Sequence, residues 1–129
     1  MMNEQVFFTT LGATTDGPFH PNSPCPTAAS DSIFSDIWFV HTAEITGELR
    51  WSLCGNADFD SRIAVYQSGA TCPVTDADCL DCNEDGSAAC TYSESELDFD
   101  VVMGETYLLR LGGFGSAEPG AQGLSLIHI

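Results

Sequence analysis

"ELDFDVVMGETYLLRLGG", residues 96–113, decides the fold. Leu97, Phe99 and Val101 alternate with Glu96, Asp98 and Asp100, a period of two that turns one face of a strand inward and the other to water. "MGET" (103–106) reads as a tight hairpin turn with Gly104 at its tip, and "TYLLRLGG" returns as a second, more apolar strand. Strands joined by so short a turn run antiparallel.

Outward from this hairpin the pattern recurs. "DIWFVHTA" (36–43), "ELRWSLCG" (48–55) and "SRIAVYQSG" (61–69) are short and rich in β-branched and aromatic residues, with turn-forming residues between them. Leu49, Trp51 and Leu53 alternate with Glu48, Arg50 and Ser52. Strands at this spacing, with no helical stretch between them, predict an all-β antiparallel β-sandwich rather than a βαβ fold. Trp51 and Tyr107 fall on apolar faces and are expected in the core. "VFFTTLGATTDGP" (6–18) predicts an opening edge strand and its turn. "FHPNSPCPTAASDS" (19–32) reads as a loop that Cys25 ties down. A chain of 129 residues is one domain's worth.

The charge balance narrows the function. Nineteen Asp and Glu stand against three arginines and no lysine, a formal charge of −16. That field repels phosphate backbones and anionic lipid, which argues against nucleic acid as a partner, and it favours cations. No apolar run approaches the roughly 20 residues of a membrane span. Six cysteines in this length fit a disulfide framework and hence a secreted, extracellular or cell-surface setting. "MMNEQVFFTT" has neither the basic start nor the apolar stretch of a signal peptide, so the original beginning of the chain is expected to lie upstream.

At the other end, "LSLIHI" (124–129) is one translation of CTG-TCT-CTT-ATA-CAC-ATC, the end of a transposase adaptor used in sequencing libraries. These six residues are expected to be non-native or a truncation scar. The nucleotide read decides it.

Five strings, "GATTDGP" (12–18), "SDIWF" (35–39), "LCGNADFDSRIAVY" (53–66), "DCNEDG" (81–86) and "TYLLRLGGF" (106–114), resemble in order and spacing the pre-peptidase C-terminal-like (PPC-like) domains. The variant they resemble most is found in large secreted proteins of planctomycetes and related bacteria. The resemblance covers residues 6–123. It implies a jelly-roll-like β-sandwich without catalytic activity, carried as an accessory module of a larger exported bacterial protein whose neighbouring domains are its partners. Some related domains bind calcium or matrix polymers. The domain is expected over 1–123, with the edge strand and the Cys25 loop in 1–35.

The chemistry-bearing residues admit several readings. Asp81, Asn83 and Asp85, followed by Gly86, place oxygen ligands as in the first half of a calcium loop, and Asp58 or Asp60 is available to join them. Tyr92 stands where the bidentate Glu of an EF-hand belongs, so the motif is not an EF-hand. The competing reading is a plain Asn/Asp/Gly turn. Zinc on Cys72, Cys79, Cys82 and Cys90 would require a spacing unlike the usual two short C-x-x-C pairs. Disulfides fit better: Cys72–Cys79 as a hairpin staple, Cys54–Cys82 across neighbouring strands, and Cys25–Cys90 pinning the N-terminal loop. Trp38 and Phe114 are candidates for an aromatic carbohydrate platform, which makes a polysaccharide- or matrix-binding domain with a calcium-stabilised loop the first alternative. A small hydrolase using Asp58 and Asp60 is the second. His20, His41 and His128 sit in no nucleophile motif, and "GFGSA" (113–117) lacks the G-x-S-x-G spacing. The expectation is therefore a non-enzyme.

Overall fold

A computed structural model of the chain describes residues 3–10, 12–15, 17, 33–54, 60–83, 90, 94–113 and 122–128. The elements are β1 (Asn3–Thr9), β2 (Phe34–Thr42), β3 (Gly47–Ser52), β4 (Ser61–Tyr66), a 3-10 turn (Asp76–Asp78), β5 (Cys79–Asn83), β6 (Glu96–Val101), β7 (Thr106–Gly113) and β8 (Gln122–His128).

They form two four-stranded antiparallel sheets, ordered β1-β8-β3-β6 and β2-β7-β4-β5. The pairings are nested: β1 with β8, β2 with β7, β3 with β6, β4 with β5. A chain doubled on itself in this way and rolled into two sheets is a jelly roll, so the all-β, jelly-roll-like expectation holds. Among the described residues no helix is long and apolar enough to cross a membrane.

Leu49 and Trp51 of β3 and Leu97, Phe99 and Val101 of β6 point into one core with Ile63 and Val65 of β4 and Tyr107, Leu109 and Leu111 of β7. Each such side chain stabilises the fold by roughly 1.5–3 kcal/mol relative to exposure. Ring contacts join the layers: Trp51 meets Phe39 edge-on at 6.4 Å, and Phe99 meets Tyr107 at 6.1 Å. The hairpin closes as read, with Glu105 N–H donating to the Val102 carbonyl at 3.0 Å and Gly104 at φ 87°. A positive φ at that place is the reason for glycine there.

One element departs from the reading. Asp81 and Asn83, read as the first positions of a calcium loop or a plain turn, lie in an edge strand, Cys79–Asn83, in which Asp81 opposes Val65 and Cys82 opposes Ala64, while Asp85 and Gly86 lie outside the described residues. At the C-terminus, Leu124–His128 lies within β8, seated between β1 and β3.

The outer face of the β2-β7-β4-β5 sheet carries a second, smaller cluster of Ile33, Ala64, Tyr66, Val74 and Cys79, with Trp38 and Leu108 packed against it. Beside it Arg110 is fully buried. Its Nε donates to Asp36 Oδ2 at 2.7 Å, one terminal nitrogen to Tyr66 Oη at 3.3 Å and the other to the Ile33 carbonyl at 3.3 Å. The guanidinium also stands 5.5 Å from the Trp38 ring centre. Gly17 lies against this group. Gly17 N–H donates to Asp36 Oδ2 at 2.9 Å, and a Cβ at Gly17 would overlap the guanidinium. Three of the quoted strings, "GATTDGP", "SDIWF" and "TYLLRLGGF", therefore converge on one buried ion pair.

Candidate functional site

Asp81 and Asn83 occupy alternate positions of β5, on the edge that faces β6. In an extended strand such positions are about 7 Å apart, so they do not converge as in a tight calcium loop. Each oxygen also has a structural task. Asp81 Oδ1 accepts the Cys82 N–H at 2.8 Å, and Asn83 Oδ1 accepts the Glu96 N–H at 3.0 Å, tying the edges of the two sheets together. Burial pushes the Asp81 carboxyl above its ordinary value, and the Asp98 charge adds to the rise against the Cys82 hydrogen bond. Asp60 precedes β4 and, with Ile63 opposite Asn83, lies about 10 Å further along that strand. Asp58 and Asp85 lie outside the described residues. Among the described residues no three His, Cys, Asp or Glu side chains gather as a metal cluster.

The solvent face of β3 and β6 is a ladder of charge. Arg50 opposes Asp98, Ser52 opposes Glu96 and Glu48 opposes Asp100. Leu53 N–H donates to the Ser95 carbonyl while Glu96 N–H points away to Asn83, so these three are the closely approaching, non-hydrogen-bonded pairs. Arg50 grips Asp98 through two bonds, 2.7 and 3.1 Å, and Ser52 Oγ donates to Glu96 at 2.9 Å. Glu48 and Asp100 oppose like charges, which is destabilising. Arg62 and Arg110 are buried, and Arg50, the third arginine, is bound to Asp98. The exposed surface therefore carries its negative charge almost uncompensated.

The cysteines pair otherwise than expected. Cys54 is bonded to Cys90, with Cα atoms 4.5 Å apart, and not to Cys82. Cys90 is thereby unavailable to Cys25, which itself lies outside the described residues. Cys82 is in a disulfide whose partner also lies outside them. Cys72 and Cys79 are thiols, Cys72 exposed and Cys79 buried with its Sγ donating to the Asp81 carbonyl at 3.5 Å. The reason lies in β5. As a strand it turns Cys82 to the outer cluster and carries Cys79 to the hairpin base opposite Tyr66. The hairpin is closed instead by hydrogen bonds: Gln67 N–H to the Asp78 carbonyl at 2.8 Å, and the Gln67 amide to Asp78 Oδ1 at 2.9 Å.

Trp38 is half-buried and stacked on Tyr66 at 5.4 Å, so packing occupies one of its faces. Phe114 lies outside the described residues. Sequence reasoning missed the buried hydroxyl pair in which Ser61 Oγ lies 3.0 Å from Ser95 Oγ and accepts the Ser95 N–H at 2.8 Å. It also missed the exposed apolar tip of the β6–β7 hairpin, Val102 and Met103, whose signal was an apolar pair in a turn.

No family model and no curated protein matches the chain. Among solved structures it is similar in fold to PliG, a periplasmic lysozyme inhibitor of g-type lysozyme from Aeromonas hydrophila. The TM-score is 0.50 and the identity 15%, over 98% of this chain and 82% of that one. A likeness at this level is one of fold.

Proposed function

We propose that this chain is a non-catalytic accessory module of a larger exported bacterial protein, with a binding or structural role. The observation that carries this reading is the oxidised cysteine framework: Cys54–Cys90 and a second bridge at Cys82, within one 129-residue β-sandwich. Such bridges persist in oxidising compartments. The nested jelly roll is also the fold that the PPC-like resemblance implies. In PliG the same kind of scaffold serves an inhibitor of g-type lysozyme, and we carry across only the class, binding to another protein. Non-reducing peptide mapping of the protein from its native host tests the reading. A Cys54–Cys90 cross-link is expected, and a fully reduced chain overturns export.

The alternative, a matrix-binding domain with a calcium-linked loop, rests on the acidic run of the sequence, Asp81, Asn83 and Asp85. Calorimetric titration with calcium tests it. Absence of both heat and a chelator-sensitive melting shift removes it.

A further inference from the structure

The β6–β7 hairpin projects two apolar side chains that the core does not use. Val102 is 53% exposed and Met103 63%. The tip is nonetheless firmly built. Val102 N–H donates to Tyr107 Oη at 3.0 Å, Met103 N–H to Thr46 Oγ1 at 2.9 Å and Gly104 N–H to the Ala43 carbonyl at 2.9 Å. The first bond braces the hairpin internally and the other two clamp it to the β2–β3 loop, which adds half-exposed Ile45. Exposed carboxylates flank the tip in both segments: Glu44, Glu48, Asp100 and Glu105. The chain has three Arg and no Lys, and none of the arginines lies in these segments.

We propose that this tip is a docking point for a cationic protein surface, with Val102 and Met103 as the apolar centre and the four carboxylates as the rim. A rigid apolar centre inside a polar rim is the usual anatomy of a protein interface. Held hydrogen bonds mean that little backbone ordering opposes association. The rim repels anionic partners and a second copy of this chain, and attracts basic ones.

The test uses the whole chain and two cationic probes, cytochrome c and ribonuclease A, each native and succinylated so that shape is kept and charge reversed. Binding is followed by interferometry at about 50 mM and about 300 mM salt, where screening differs strongly. The native probes are expected to bind at low salt and the succinylated ones not. Val102→Ser with Met103→Ser should weaken binding about tenfold with melting unchanged, while Phe7→Ser, at an exposed apolar residue on β1, should leave it intact. Binding indifferent to the tip variant overturns the docking point and leaves the module reading standing. No binding to either native probe overturns it too, as does a concentration-dependent dimer that the tip variant abolishes.

Discussion

Asp36 and Arg110, 74 residues apart, hold each other at 2.7 Å with neither side chain reaching solvent. A buried pair of this kind is sensitive to losing one member, because the other charge is left without compensation. Arg110→Met or Asp36→Leu alone is expected to destabilise by about 3–5 kcal/mol. The double variant should recover part of that loss in chemical denaturation. Gly17→Ala should destabilise through the same group, since its methyl enters the space of the guanidinium.

Cys54–Cys90 closes a segment with a sequence separation of 36. In the chain-entropy account its removal costs about 4 kcal/mol. Cys54→Ser with Cys90→Ser should lower the midpoint of denaturation accordingly. In the intact protein Cys72 should alkylate at once and Cys79 only on unfolding, followed by mass spectrometry. Rapid labelling of both would contradict the burial of Cys79.

Asp81 gives a pH-dependent signature. Its folded carboxyl binds a proton more tightly than the unfolded one, so the ionised form opposes folding above that raised value. Asp81→Asn keeps the oxygen that accepts the Cys82 N–H and removes the charge. The variant should be more stable than the parent at neutral pH, and the gain should vanish as pH falls through the raised value and Asp81 takes up its proton. Asp78 has the opposite sign. The Thr75 N–H and the Gln67 amide hold its carboxyl below the ordinary range, so its contribution is present above the unfolded value and lost in acid. Asp78→Asn should therefore flatten the acid limb of a stability–pH curve.

Gly104→Ala forces a side chain into a left-handed turn position and should cost about 1–2 kcal/mol. Thermal melting checks it, with Gly47→Ala, where the backbone does not need glycine, as the comparison.

The parts of the fold legible in the sequence were those governed by local alternation. Leu97, Phe99 and Val101, or Leu49 and Trp51, announce their inward faces because the partner layer is continuous and apolar. β5 gave no such signal. It is an edge strand, and its residues answer to a small outer cluster on one side and to the Asn83–Glu96 tie on the other. Arg110 between Leu109 and Leu111 did carry a hint, since a cation inside an apolar strand requires a buried acceptor. Nothing local says that the acceptor is Asp36. Cysteine pairing was illegible for a similar reason: spacing suggests short staples, whereas the bridge follows from where the sheets bring Cys54 and Cys90.

The place of β8 has a consequence for how the molecule is made. Among the described residues it sits inside its sheet, paired with β1 on one side and β3 on the other, and β1 pairs with β8 alone. β2, β4, β5 and β7 complete their own sheet without it. Any copy of the chain in which residues 122–128 are not yet in place therefore holds one finished sheet and one with its second position vacant. Closure of that sheet therefore waits on residues 122–128, whatever the rest of the chain has already formed.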